Sequence, residues 1–574
     1  MSNKYSAFFI GKIILIAGWL VLPLAVNAQN SLQIEPKFFH LDSVKNIILI
    51  NDPISKINTE KRELKIIESG GRRYELTQPA TSLNTRTAYR ATAKAVGYTV
   101  YFTQLPVLHL DTKYKIVDTP SVYANLVLTD SSGTLAQSAT GIEIRGGFSQ
   151  SYPKKSYELS LWADTTGAED QDLALLGMRN DNKWNLQALY NDPLRLRLPL
   201  ANELWLSMNK LYYQAQEPAA KSGIASVYTE VFLNDSYQGV YALTERVDRK
   251  QLKIKKYANS KIAGELYKGI DGSGGAVTFS VAPAFDNTNP VWGGFEYKEP
   301  SEKTDWTALH DYVDFVITSS DADFYSQYKS KLNLANAVDY FILLNLLRAT
   351  DNTGKNVYIA KYKAGEPYYY VPWDLDGVLG NDWRGVNVNT TDDLLTNGLY
   401  ERLLKDTAAG GFRAALASRW VALRASVLAQ ETILRKLKQH SEYLLGNSVY
   451  EREHLAWTEY QYDAAQLTYP AEWLASRLTH LDGVFSPSRP LATEAAGSAP
   501  QLQLYPNPAS GQLSVAFGAG PCQLSIQSLA GVTVLHASLA AGTSQVDISA
   551  LAPGLYLARM QSATATAVQK LLVR

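Results

Sequence analysis

Residues 348–377 read RATDNTGKNVYIAKYKAGEPYYYVPWDLDG. Upstream, Leu334, Val338, Phe341, Ile342 and Leu346 recur at helical spacing, which predicts a helix from Asn333 to Ala349. Two β-prone runs follow, Val357–Tyr362 and Tyr368–Val371, separated by a turn at Ala364-Gly365, and they predict a hairpin. Asp351 and Asn356 stand before the first strand, and Asp374 stands just after the second. An antiparallel return therefore brings all three oxygen-bearing side chains to one end of the ribbon. Carboxylates joined by an amide suit a hard cation that keeps some water, Mg²⁺ or Mn²⁺. The alternative is a turn rich in Asp and Asn for its own local hydrogen bonds.

The same spacing serves phosphoryl transfer of the kinase type. There an Asp accepts the hydroxyl proton, an Asn five residues on holds metal, and an Asp beyond a hairpin holds metal as well. The His-Arg that usually precedes the first Asp is replaced here by Ala349-Thr350, and Asp-Phe-Gly by Asp374-Leu375-Asp376-Gly377.

A second cluster lies nearer the N-terminus. Gly141–Arg145 reads as a strand running into the Gly146-Gly147 turn, and Pro153-Lys154-Lys155 leads into the strand Ser156–Trp162. Backbone N–H groups of a glycine turn approach phosphates, and a strand lysine neutralises them. Period two puts Lys155 on the face of Tyr157, Leu159 and Leu161, which makes it the preferred phosphate lysine over Lys154.

With both clusters, the chain resembles the CotH family of spore-coat-protein-H-like atypical kinases. The matching blocks are GIEIRGGFSQSYPKKSYELSL, NKWNLQALYNDPLRLRLPLANEL, VYTEVFLNDSYQGVYALTERVD and GELYKG, then DNTGKNVYIA through PWDLDGVLG. They spread in order over residues 105–485. The resemblance implies an α+β, two-lobed, divergent protein-kinase fold that transfers phosphate from ATP to Ser or Thr of an exported protein acceptor. It implies Asp351 as the catalytic residue, with Asn356 and Asp374 as metal ligands assisted by Asp376. Lys155 or Lys154 would hold the α/β-phosphates, beside Arg145 and Ser149 in the phosphate-facing loop. Glu203, on a helix predicted at Leu194–Lys210, would orient the lysine or lie on the surface. Glu245 would end an inter-lobe segment near adenine. Gly147, where a polar residue is common, and Pro199, early in the Glu203 helix, depart from the family pattern.

Outward from this domain, residues 29–104 alternate apolar and polar over short runs such as Ile47–Ile50 and read as a β-rich region. Further helices are expected at Phe412–Gln430, Thr432–Leu444 and Pro470–Phe485. Residues 1–28 read as a signal peptide: Lys4 and Lys12, an apolar run from Ile13 to Val26, and small residues before a cleavage site at Ala28. Residues 486–500 have linker composition. Residues 501–574 open on Leu504-Tyr505-Pro506-Asn507-Pro508 and close on Pro553-Gly554-Leu555-Tyr556 and Lys570–Arg574, with the pattern of a small β-sandwich. This tail resembles the C-terminal sorting domain of the type IX secretion system of Bacteroidota, which implies handling by that machinery and a secreted or surface location.

Composition closes several other routes. Lys+Arg and Asp+Glu both number 55 in 574 residues, so no global field draws in nucleic acid or an anionic membrane. The single Cys522 excludes an intramolecular disulfide and a Cys-based zinc site. The seven histidines never pair at metal spacing. After the signal no apolar stretch reaches spanning length, so the mature chain has no expected transmembrane segment. Three rivals remain: a carbohydrate-active hydrolase using paired carboxylates, a surface protein holding Ca²⁺ on Asp374, Asp376 and Asp382, and a degenerate kinase fold serving as a coat or scaffold.

Overall fold

The structure is a computed structural model that describes residues 30–58, 63–486, 502–517, 521–528, 532–540, 542–562 and 566–574. The expected signal peptide and nearly all of the expected linker lie outside the described residues. The chain is α+β and divides into two units, one on each side of residue 487.

The first unit begins with a seven-stranded sheet in the order Ser31–Gln33, Leu64–Ser69, Arg72–Ala80, Tyr89–Ala93, Val96–Phe102, Ile47–Ile50, Phe39–Asp42. The apolar run Ile47–Ile50 is buried throughout because both faces of the sheet are covered. Ile48 and Ile50 face a core with Ile67, Val100 and Phe102. Ile47 and Leu49 turn the other way, with Tyr101, onto Val107, Phe232 and Tyr237 of the next element.

That element is a closed seven-stranded barrel in the order Leu135–Arg145, Ser156–Trp162, Lys183–Gln187, Ser236–Thr244, Ser226–Leu233, Val107–Asp111, Val122–Thr129. Alternate residues such as Leu108, Leu126, Ile142, Leu159 and Trp184 fill its interior. The strand Lys183–Gln187 was not legible as such, because its residues Asn185 and Gln187 are polar yet buried. A helical half follows, built on the sheet Val291–Trp292, Phe295–Glu299, Glu265–Gly269, Val357–Lys361, Tyr368–Pro372. At its centre runs the helix Leu334–Leu347, buried from Asn336 to Leu347. A helix apolar all round belongs in a core, and this one packs Tyr340 on Tyr370 of the hairpin at 4.8 Å.

The helix expected at Leu194–Lys210 forms as Arg197–Met208, and two helices the sequence reading does not expect follow, Thr307–Thr318 and Asp321–Lys331. The second carried a readable signal: Ser320 accepts from Asp323 N, acids fill the first turn and lysines the last. The second unit holds two sheets of three and four strands around one core that includes Leu513, Ile526, Ile548 and Met560. Among the described residues no helix is long and apolar enough to cross a membrane.

Where the N-terminal sheet meets the barrel, His40 and His109 are buried ring to ring, Nδ1 to Nε2 at 2.9 Å. His40 Nε2 faces Asn51 Oδ1 at 3.0 Å, and the His109 ring stacks on Phe232. Burial pushes His40 down to about 3, with His109 adding to it, and pushes His109 down to about 4, with Asp235 opposing. Both rings stay neutral in the folded chain but bind protons near pH 6.5 once exposed. Stability is therefore fully present above pH 6.5 and drains as pH falls, toward about 4 for His109 and about 3 for His40. We expect acidification from pH 7 to 5 to cost the wild type roughly 2–4 kcal/mol through this pair, at about 1.4 kcal/mol per pH unit per group. The His40→Gln/His109→Gln double variant should melt with a shallower pH slope. An identical slope would acquit the pair.

Candidate functional site

The helix Leu334–Leu347 ends at Arg348, which adopts a left-handed conformation, φ 51°, and is held by Asp393. A short turn, Thr350–Thr353, carries Asp351. Asn352 behind it is buried and acts as a clamp. Its Nδ2 donates to Asn356 O at 2.7 Å and to Trp373 O at 2.8 Å, while its own carbonyl accepts from Tyr340 Oη at 2.7 Å. Trp373 N donates to Asn356 O at 3.0 Å, and Val357 pairs with Pro372, so the start of one strand is locked to the end of the other. Asn356 and Asp374 both sit in the left-handed region, φ 54° and 56°, which Asn and Asp tolerate better than other side chains. At these two bends the ribbon leaves its sheet.

Asp351, Asn356, Asp374 and Asp376 all line one cleft of about 670 Å³ between the helical half and the barrel. Lys355 Nζ lies 3.7 Å from Asp351 Oδ2. Burial, and then the neighbouring Asp374 carboxylate, push Asp376 up to about 7, although Asn191 Nδ2 donates to it at 2.8 Å. Two carboxylates side by side, with the Asn356 amide on the same cleft, make an oxygen-rich lining that favours positive charge. Among the described residues no three His, Cys, Asp or Glu converge as a metal cage. Asp382 stands apart from it, taken by the Arg384 guanidinium at 2.9 Å and by the Arg384 and Val386 N–H groups.

From the barrel side come Arg145, Gly146, Ser149 and Lys154. Gly146 has φ 107°, and a Cβ there would overlap Ser149 Oγ, so the tight loop requires glycine. Arg145 donates to Gln187 Oε1 at 2.5 Å, its guanidinium 5.5 Å from the Trp373 ring. The loop's Phe148 meets Trp383 edge-on at 4.8 Å and narrows the mouth.

The lysine preference is corrected. Lys155 turns back to bond Gln150 O at 2.7 Å and Tyr152 O, closing its own loop. The alternation that favoured it starts only at Ser156, where the strand begins. Lys154 is the inward lysine: it is 1% exposed, donates to Val240 O at 2.6 Å, and pairs with Glu453 at 2.8 Å. Glu203 does not reach it. That carboxylate is tied to His440 at 3.0 Å and to Lys436, which hold it at about 2. Glu245 is fully buried beyond the cleft, accepting from Arg179 N, Ala225 N and Lys221.

Two site residues escaped the sequence reading. Glu453, on the helix Val449–Ala456, pairs Lys154 and also Arg195, at 3.0 Å. Burial alone would raise its carboxyl, yet Lys154 and Arg195 hold it below the usual range. Burial draws the Lys154 ammonium down to about 8, with Glu453 opposing. Lys154 and Glu453 are 299 positions apart, and no local pattern joins them. Lys268, from the strand Glu265–Gly269, lines the cleft; burial lowers its ammonium, with Glu296 opposing. Its only signal was the GELYKG block.

A family model described as CotH kinase protein matches residues 142–481, and one described as secretion system C-terminal sorting domain matches residues 503–574. No curated protein matches the chain. The tail sends the chain out through the type IX secretion system, to the cell surface or the medium. The first match spans more than half the sequence and contains the whole hairpin, and this exported chain belongs to the CotH kinase family.

Proposed function

We propose that the protein is an ATP-dependent kinase that transfers the γ-phosphate of ATP to Ser or Thr of exported or surface proteins, with the apolar segment of residues 1–28 as its removable signal. The observation that carries this reading is the gathering of Asp351, Asn356, Asp374 and Asp376 opposite Lys154 and Arg145 in one cleft. Asp351 orients the acceptor hydroxyl and takes its proton as the oxygen bonds to the γ-phosphorus. The bond from that phosphorus to the β–γ bridging oxygen breaks, and ADP leaves. Asn356, Asp374 and Asp376 would hold Mg²⁺ or Mn²⁺, whose charge neutralises phosphate oxygens. The donor set fits such a cation, because positive charge beside Asp376 would restore a carboxylate that burial holds near half-protonated at neutral pH. Lys154, Arg145 and Lys268 supply fixed positive charge on the other sides of the cleft. Catalysis then rests on positioning and electrostatics.

A hydrolase working through two carboxylates leaves all three cations without a role. The test uses the full-length chain with radiolabelled ATP, Mg²⁺ and a pool of exported proteins, wild type against Asp374→Ala. We expect label in the pool from the wild type and at least a hundredfold less from the variant, the scale of losing one oriented charge. Equal labelling removes the site. Sugar release from polysaccharides without labelling replaces the reading with the hydrolase.

A further inference from the structure

The seven-stranded N-terminal sheet precedes the matched kinase region, and nothing so far gives it work. Beside its packing on the barrel, it bonds two segments that carry the Lys154–Glu453 pair. The first is the helix Val449–Ala456 that carries Glu453. Tyr101 Oη donates to Glu451 Oε1 at 2.9 Å, and the same ring lies 5.3 Å from the Arg452 guanidinium, so it grips the two residues before Glu453. Ser448, which opens the helix, donates to Thr85 O at 2.9 Å, and Thr85 Oγ1 bonds Gly446 O. Gln104 N donates to Asn447 Oδ1 at 2.7 Å. Ala456, at the far end, packs against the cluster that Ile47, Leu49 and Tyr101 form with Val107, Phe232 and Tyr237.

The second segment is the strand Ser236–Thr244. Asp42 accepts from Tyr237 N at 2.9 Å, and Lys45 donates to Ser236 Oγ at 2.8 Å. Three residues on, Val240 presents its N–H to Glu453 Oε1 at 2.6 Å and its carbonyl to Lys154 at 2.6 Å. Gly239, φ 84°, leaves room for the Glu453 carboxylate that a Cβ would occupy. The sheet thus anchors the helix bearing the acid and the strand that cradles acid and lysine together.

We propose that residues 30–104 are a built-in positioning element for the lysine–glutamate pair, with Tyr101 as its principal contact. This rests on the kinase reading for its catalytic consequence and on the contacts alone for its structural one. Tyr101 touches no substrate; it acts through Glu451, Arg452 and the helix they share. A ring removed at that point frees the helix to shift, and Lys154 follows Glu453.

The experiment compares the full-length wild type with Tyr101→Ala, Tyr101→Phe, Glu453→Gln and Ile67→Val. Ile67 lies in the core on the sheet's far face, so its variant loosens the sheet without touching the helix. Hydrogen exchange over residues 449–456 and the KM for ATP are read on each. We expect Tyr101→Ala to speed exchange in that helix and raise the KM for ATP about five- to tenfold, with kcat less affected. Tyr101→Phe, which keeps the ring on Arg452, should recover most of both, and Ile67→Val should lower Tm with KM unchanged. Unchanged exchange in Tyr101→Ala overturns the proposal. So does an unchanged KM when Glu453→Gln raises it. If Tyr101→Ala does not fold, Tyr101→Phe must show a smaller rise in the same exchange, and its absence overturns the proposal. If the wild type binds no ATP, the kinase reading fails by itself while exchange over 449–456 still decides the positioning role.

Discussion

On the kinase reading we expect Asp351→Asn to lower phosphoryl transfer by roughly 10²- to 10⁴-fold, the range of an oriented general base, with the KM for ATP near that of the wild type. The expectation follows from what Asp351 touches. Its side chain is about a third exposed, and among the described residues its ion-pair partner is the half-exposed Lys355 at 3.7 Å. A pair so open to solvent contributes little to stability, below about 1 kcal/mol. Asparagine keeps the shape and a hydrogen-bonding oxygen but cannot take the acceptor proton, so the loss falls on kcat rather than on folding. Tm and kcat measured side by side check this. A variant that transfers phosphate at the wild-type rate would remove Asp351 from the chemistry and leave the cleft with binding groups only.

The contrast with Asn352 shows what the sequence made legible. Helix, turn and hairpin were readable because periods of 3.6 and 2 follow one another within about 40 residues, and the antiparallel return then places Asp351, Asn356 and Asp374 at one end. The clamp that locks the end was invisible: an Asn in an Asp- and Asn-rich turn gives no sign of bonding two carbonyls from two strands. Lys155 misleads because a strand's alternation, carried one residue before its start at Ser156, runs into a loop. For Glu203 the sequence leaves open whether it orients the lysine or lies on the surface, and its half-exposed carboxylate goes to Lys436 and His440. Fold class and tail were local in sequence and so were legible. The lysine's counter-ion was not, since it returns from a helix near the end of the kinase region.

That counter-ion carries the largest expected effect on stability. Glu453 is fully buried between Lys154 and Arg195, whose side chains are 0% and 1% exposed, and it also accepts from Val240 N. Removing one member of a buried ionic network strands the others without solvent, which costs about 3–5 kcal/mol. Glu453→Ala leaves two cations and an N–H stranded, and we expect a loss at the top of that range. One relief is available, because burial already draws Lys154 down to about 8 and an unpaired Lys154 can shed its proton near neutral pH. Arg195 has no such escape. Lys154→Met should therefore cost less than Glu453→Ala, since Glu453 keeps Arg195 and Val240 N, yet it should weaken ATP binding at least as much. Lys155→Ala should leave ATP affinity unchanged and cost under about 1 kcal/mol, because that lysine closes only its own exposed loop. Denaturant midpoints and ATP titrations on the three variants separate these outcomes. Should Lys155→Ala rather than Lys154→Met abolish ATP binding, the buried pair is a structural bolt and the phosphates are held from the loop instead.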